Sequence, residues 1–483
     1  MSGSLPPPGA SSASDTSGAL ARRTDPTTHN GEPMDHTTTS AQLSLGEKTL
    51  DLPIIPAVEG NSGIAIGPLR KETGEVTYDP GFMNTANAKS SITYIDGDEG
   101  ILRYRGYPIE QLAEKSSYLE VSYLLINGEL PTKGQLDNFE AQVEHRTLLD
   151  ERFKRMFDNF PRDAHPMAVL QAGTSALSTF YQDTLDPFDE EQVRISAVRL
   201  LAKMPTMAAY AHRIAQGHAL LYPDNRLSLI ENFLRLTFGF PVEDYIADPV
   251  VVRAMEQLLI LHADHEQNCS TSAVRLVGSA QANLFTSISA GIGALSGPAH
   301  GGANAAVMDM LDQIEAENMD PRDFMEKVKR KEDGIRLMGF GHRVYKNYDP
   351  RARLVKKIAD DVLERLGVND SRLELAMKLE EIALKDDYFV ERKLYPNVDF
   401  YTGLIYKAIG FPTEMLTVLF AIGRLPGWIA QWEEMVHDPE TKIGRPRQIY
   451  TGHAERSYTA MEDRTGTSEL RLSALQSDIE KRG

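Results

Sequence analysis

From Ile109 to Trp432 the apolar residues recur every three or four positions, and that spacing restricts this stretch to helices. Leu112, Tyr118, Val121 and Leu125 begin the pattern. Ile195–Ala202, Ala254–Leu261, Val307, Leu311 and Ile314 continue it, and Leu379–Leu384 and Met415–Trp432 close it. Each run lays one apolar stripe along a helix, which must then be buried against others. Prolines 131, 166, 205, 241, 249 and 412 are read as breaks between helices.

Ahead of this region the period is two. Thr49–Leu52 and Glu75–Tyr78 alternate, and Ile92–Ile95 and Ile101–Tyr104 flank Asp96-Gly-Asp-Glu-Gly100, which predicts a hairpin. The Asp-Gly-Asp run resembles half a calcium loop but lacks the third acidic ligand and the distant glutamate, so a plain turn is expected. Residues 1–45 are rich in Ser, Thr, Pro and Gly. They carry too little apolar surface to offset their ordering entropy and are expected to be a disordered tail.

A chain of 483 residues can bury a large core without staples, and the lone Cys269 excludes an internal disulfide. That usage suits a reducing cytoplasm. A net charge of −18 disfavours nucleic acid or an anionic membrane as partner, and no uncharged apolar run is long enough to span a bilayer.

Four residues stand in distinctive polar settings. His265 lies in Leu-His-Ala-Asp-His-Glu-Gln-Asn, His300 in Gly-Pro-Ala-His-Gly-Gly-Ala-Asn, His342 in Gly-Phe-Gly-His-Arg-Val-Tyr-Lys, and Asp399 in Tyr-Pro-Asn-Val-Asp-Phe-Tyr. His262 and His265 are placed on one face of an apolar helix, where they bind substrate or are hydrogen-bonded core residues. A zinc site is disfavoured, because His-Ala-Asp-His-Glu matches no zinc motif and no further ligand follows at the right spacing. Gly291–Gly297 has the wrong spacing for a dinucleotide loop.

The glycines around His300 allow close backbone approach, and a helix is expected to start near Asn304. The stretch from His342 through Arg343, Lys346, Arg351, Arg353, Lys356 and Lys357 is strongly basic in an acidic chain. It is either a solvated helix face or a phosphate-binding surface. Arg424 sits in an apolar helix and needs a carboxylate partner, internal or on a substrate. Asp399 would have a raised pKa, suited to a base, if Val398, Phe400 and Tyr401 shield it; otherwise it is a helix cap. Together these groups can hold an anion and move a proton next to a carbonyl.

These strings, with Leu-Tyr-Pro-Asn-Val-Asp-Phe-Tyr and Arg445-Pro-Arg-Gln-Ile-Tyr-Thr-Gly, resemble citrate synthase from about residue 48 to residue 460, and the β-rich start resembles its bacterial hexameric branch. The resemblance implies a mainly α, two-domain helical fold with a small N-terminal β-rich segment. It implies a segment over 46–105, a large helical domain over 106–301 and 407–462, a small one over 302–406, and an extension over 463–483.

It also implies roles. His300 would hold the thioester carbonyl of acetyl-CoA, Asp399 would take a methyl proton, and His342 would polarise the ketone of oxaloacetate. His265, Arg351, Arg424 and Arg445 would hold the oxaloacetate carboxylates, with Arg445 coming from a neighbouring subunit. Phe420 would line the site, and Arg343 and Lys346 would meet CoA phosphates. The protein would be a homo-oligomer, dimer or hexamer, in the cytoplasm. It would have no metal and no cofactor, acetyl-CoA being a substrate. Phe238–Asp244 lacks the cysteine of the NADH site found in some relatives, and the basic pair in Glu144–Leu148 is reordered, so NADH regulation is not expected. The competing readings are a 2-methylcitrate synthase using propionyl-CoA, a non-catalytic binding or assembly relative, and a metallohydrolase built on His262 and His265. One methylene alters specificity by only ~1–3 kcal/mol, so the first of these stays open on sequence.

Overall fold

In the computed structural model, residues 40–464 are described, apart from 343, 346 and 368–370. Eighteen α-helices and two small three-stranded sheets among the described residues make the chain mainly α, as the periodicity predicts. Contacts divide the chain into two units at Ala86.

The first unit is built on an antiparallel hairpin, β1 (Ser40–Leu45) with β2 (Lys48–Ile55), in the register Ser40 to Pro53 and Leu45 to Lys48. The expected disorder therefore does not hold over 40–45. Pairing with β2 takes up the inward-facing backbone groups of 40–45 despite its polar composition. The rest of the expected tail, 1–39, and most of the C-terminal extension, 465–483, lie outside the described residues. β3 (Gly63–Ile64) pairs with the end of β2, and a short helix, Gly67–Thr73, buries Leu69. Glu75–Tyr78 is not a strand. Its alternation finds no partner, and Asp79 just beyond it accepts from the backbone of Met83 and Asn84, which closes a loop instead.

The second unit opens with β4 (Thr93–Asp96) and β5 (Ile101–Tyr104), paired from Thr93–Tyr104 to Asp96–Ile101, and β6 (Tyr107–Pro108) on the far side of β5. The hairpin is the expected one. Its turn is held by Asp96, whose Oδ1 accepts the N–H groups of Asp98 and Glu99 at 3.0 Å each. Helices follow from Ile109.

At their centre runs Leu416–His437, buried on nearly every side, with Trp428 and Trp432 wholly enclosed. It packs against Tyr118–Asn127, Pro249–His262, Cys269–Gly278 and Leu284–Leu295. Pro166 and Pro249 begin helices, as read. Pro205 does not break one: Glu190–Gln216 is continuous through it. A proline inside a helix costs about 3 kcal/mol, and here burial of almost every residue from Val193 to Arg213 outweighs it. No helix among the described residues is long and apolar enough to cross a membrane.

Candidate active site

The Pro249–His262 helix stops at His262, so His262 and His265 do not share a helical face as expected. The cause is tertiary. Arg424 Nε donates to the His262 carbonyl at 2.6 Å and the Gly427 N–H to the Ala263 carbonyl at 3.0 Å, so the Leu416–His437 helix caps the end of its neighbour. His262 donates Nδ1–H to the Leu258 carbonyl at 2.7 Å and is a core residue whose pKa burial pushes down to about 3. His265 emerges beyond the helix into a shared cluster. Its Nε2 lies 3.2 Å from the Tyr345 hydroxyl and its ring 5.2 Å from that of His342. Burial, then the charge of Arg351, lowers its pKa well below the ordinary imidazole value.

His342 sits on a loop shaped by Gly339 and Gly341, both with left-handed φ, 78° and 76°. A Cβ on Gly339 would lie 2.8 Å from the side chains of Phe400 and Val307, so only glycine fits. This loop is stitched to the segment that leads into Asp399. Gly341 N–H donates to Tyr395 O at 2.8 Å, Asn397 N–H to Gly339 O at 2.9 Å, and Asn397 Nδ2 to Gly341 O at 2.9 Å. The Nδ1 of His342 accepts the N–H groups of Val344 and Tyr345, at 3.0 and 3.3 Å. A backbone N–H can only donate, so the imidazole proton is on Nε2. Burial, with Arg351 adding to it, pushes the pKa to about 4, so the ring is neutral at pH 7.

Asp399 is the first residue of the helix Asp399–Ile409, and its side chain does not cap that helix. Val398, Phe400 and Tyr401 around it are at most 4% exposed. The expected shielding is present: burial pushes the carboxyl up to about 6, against the pull of Arg351 and Arg424. Arg351 is fully enclosed and forms a two-pronged pair with Asp349, Nε to Oδ1 at 3.0 Å and Nη2 to Oδ2 at 2.9 Å. Asp349 Oδ2 also accepts the N–H of Val398 at 3.3 Å, which ties Arg351 to the approach to Asp399. Arg424 is equally buried, with its guanidinium 4.9 Å over the half-buried ring of Phe420.

His300 lies in the tight turn before the helix Ala303–Ala316, which begins where expected. A Cβ on Gly301 would stand 2.2 Å from the Leu295 carbonyl, and Thr417 Oγ1 donates to Gly301 O at 3.0 Å. The Nε2 of His300 accepts the Ser270 N–H at 3.2 Å, with Ser270 Oγ at 2.8 Å, so its proton is on Nδ1. Ser270 is held by Trp428 Nε1 and Asn268 Oδ1. Burial, then Arg424, pushes His300 to about 4. The electrostatics thus join His265, His300, His342, Asp399, Arg351 and Arg424 in one neighbourhood.

Arg445 is not among them within this chain. It is exposed, in the segment after the last long helix. Arg343 and Lys346 lie outside the described residues. No group of three or more His, Cys, Asp or Glu suited to a metal ion occurs among the described residues. Ser270, Tyr345 and Asp349 were not singled out in the sequence. Only Asp349 gave a signal, as the cap of an Asp-Pro-Arg helix start.

The family model "Citrate synthase, C-terminal domain" matches residues 81–447. A protein of Mycobacterium tuberculosis, "Citrate synthase 1", is 64% identical over 431 residues, 89% of this chain and 100% of that one. The crystal structure of citrate synthase from Pyrobaculum aerophilum superposes with a TM-score of 0.73 at 36% identity, over 81% of this chain and 98% of that one. The Thermoplasma acidophilum citrate synthase, in a ternary complex with carboxymethyl coenzyme A and oxaloacetate, gives a TM-score of 0.71 at 31% identity, over 79% and 98%. The matched residues contain His265, His300, His342, Arg351, Asp399 and Arg424 alike, and the identity extends over most of the sequence. The chain belongs to the citrate synthase family.

Proposed function

We propose that the chain condenses acetyl-CoA with oxaloacetate and water to give citrate and CoA, through the following roles. The observation that carries the reading is a shielded carboxylate, Asp399, in the field of Arg351 and Arg424, the same two cations that act on the neutral imidazoles of His342 and His300, whose protons are assigned to known nitrogens. At pH 7 Asp399 is mostly ionised yet basic enough to accept a proton from carbon. It takes one methyl proton of acetyl-CoA. The C–H electron pair moves toward the thioester oxygen, which receives Nδ1–H of His300. The resulting enol carbon attacks the keto carbon of oxaloacetate as the enol O–H returns its proton to His300. The ketone oxygen takes Nε2–H of His342, which is replaced by the proton held on Asp399. Water then cleaves the citryl C–S bond and CoA leaves as the thiol. A placed donor of this kind lowers the barrier by ~3–4 kcal/mol, and a positioned base adds roughly 10²–10⁴-fold in rate.

His265, Arg351 and Arg424 bind the oxaloacetate carboxylates, Phe420 lines the site, and Arg343 and Lys346 meet CoA phosphates. The lobe over 302–406 closes on oxaloacetate before acetyl-CoA reacts, which keeps water out. Arg445 completes the site from another copy in a homo-oligomer, a dimer or a hexamer. In support, its segment exposes Ile443, Ile449, Tyr450, Tyr458 and Met461 at 58–84%. The lone thiol suits a cytoplasmic location.

Thiol release from acetyl-CoA that depends on oxaloacetate is the test. Its absence would remove the reading, and faster release from propionyl-CoA would reassign the acyl substrate. Arg424→Leu is expected to raise KM for oxaloacetate roughly 30-fold or more, the loss of about 2 kcal/mol or more from an unpaired buried carboxylate. Steady-state kinetics at fixed acetyl-CoA would show it. An unchanged KM would make Arg424 a purely structural cation.

A further inference from the structure

Glu380 is a buried carboxylate, 3% exposed, on the helix Ser371–Lys385, and the chemistry above makes no use of it. A charge there is costly unless fully paired. Its partners come from three other elements. Tyr348, at the end of the His342 loop, donates its hydroxyl to Oε1 at 3.3 Å. Tyr401, two residues after Asp399, donates its hydroxyl to Oε2 at 2.6 Å. Lys356, one and a half turns beyond Arg351 on Pro350–Leu366, pairs with the same Oε2. The lysine ammonium also lies 5.8 Å over the Tyr401 ring.

One side chain therefore anchors the three elements that carry His342, Arg351 and Asp399. We infer that Glu380 is a positioning residue for proton abstraction, holding Asp399 in register with His342 and Arg351 through Tyr401, Tyr348 and Lys356. The inference rests on the reading of the site given above. Displacing a reacting group by about 1 Å can lower a rate by 10²-fold, so an anchor of this kind shows in turnover as well as in stability.

Glu380→Met replaces the carboxylate by an apolar chain of similar length and removes all three anchors. Glu380→Gln retains an acceptor for the Tyr401 hydroxyl, while a freely rotating Tyr348 hydroxyl can accept from its amide. Turnover is measured on wild type and both variants with acetyl-CoA and with its trideuteromethyl form. We expect kcat of Glu380→Met to fall ~10-fold or more. KM for oxaloacetate should move far less, and the deuterium isotope effect should rise as proton abstraction becomes rate-limiting. Glu380→Gln should recover most of the loss.

If Glu380→Met does not fold, Tyr401→Phe carries the test. It deletes one hydroxyl and is expected to show the same rise in isotope effect with a smaller fall in kcat. An active wild type with unchanged kcat and isotope effect in the variants would reduce Glu380 to a structural role and overturn the inference alone. A wild type with no activity on these substrates would remove the functional reading and this inference together.

Discussion

Asp399→Asn is expected to lose most turnover, ~10²–10⁴-fold, while oxaloacetate still binds. The asparagine cannot take a proton from carbon, yet it fills the same space at the start of Asp399–Ile409. The wild-type rate should fall with acid on a limb centred near pH 6, where the carboxyl titrates, and the residual rate of the variant should lack that limb.

The same substitution should stabilise the fold. The carboxyl is raised from 3.8 to about 6 in the native state, so its ionisation opposes folding. The sign follows directly. Below pH 3.8 both states are protonated and the variant gains nothing. The gain grows between the two values and is complete above about pH 6. At about 1.4 kcal/mol per pKa unit it approaches about 3 kcal/mol, less whatever water in the cleft returns. Thermal melts of both proteins at pH 4 and pH 8 check this. Near-normal turnover, or a gain at pH 4 and none at pH 8, would contradict the assigned base.

The second large effect is a crossed pattern at the two histidines proposed as proton donors. His300 donates from Nδ1 and His342 from Nε2, because backbone N–H groups occupy the other nitrogen of each. An asparagine amide nitrogen falls near the Nδ1 position and a glutamine amide nitrogen near Nε2. His300→Asn should therefore exceed His300→Gln in kcat, and His342→Gln should exceed His342→Asn. Removing either donor altogether with alanine should cost ~10²–10³-fold. Equal rates within each pair, or the opposite order, would show that the proton assignments or the roles are wrong.

Much of the candidate site is legible in sequence because His300 and His342 sit in short strings flanked by glycine and Asp399 among aromatic residues. His300, His342 and Asp399 each announce themselves against small or aromatic neighbours. The groups that orient them do not. Ser270 meets His300 across 30 residues, and Glu380 meets Tyr348 across 32 and Tyr401 across 21. Such pairings follow from helix packing, which no local pattern encodes. The end of the helix at His262 is hidden from sequence for the same reason: residues 424 and 427 cap it from another helix. The helices themselves were visible through their periodicity. Pro205 departs from its local preference because burial on all sides outweighs it. The strand at 40–45 was missed because its composition is that of a tail, while its pairing with 48–53 is not.

The stitching of Gly339 and Gly341 to Tyr395 and Asn397 has an evolutionary consequence. On the proposed roles, proton acceptor and ketone polariser share one hydrogen-bonded block, so a change that re-aims one drags the other with it. A change of acyl donor that leaves this block intact is expected around His300 and the turn that carries it. Diversity among descendants of this chain should concentrate there, leaving 339–341 and 395–399 nearly invariant.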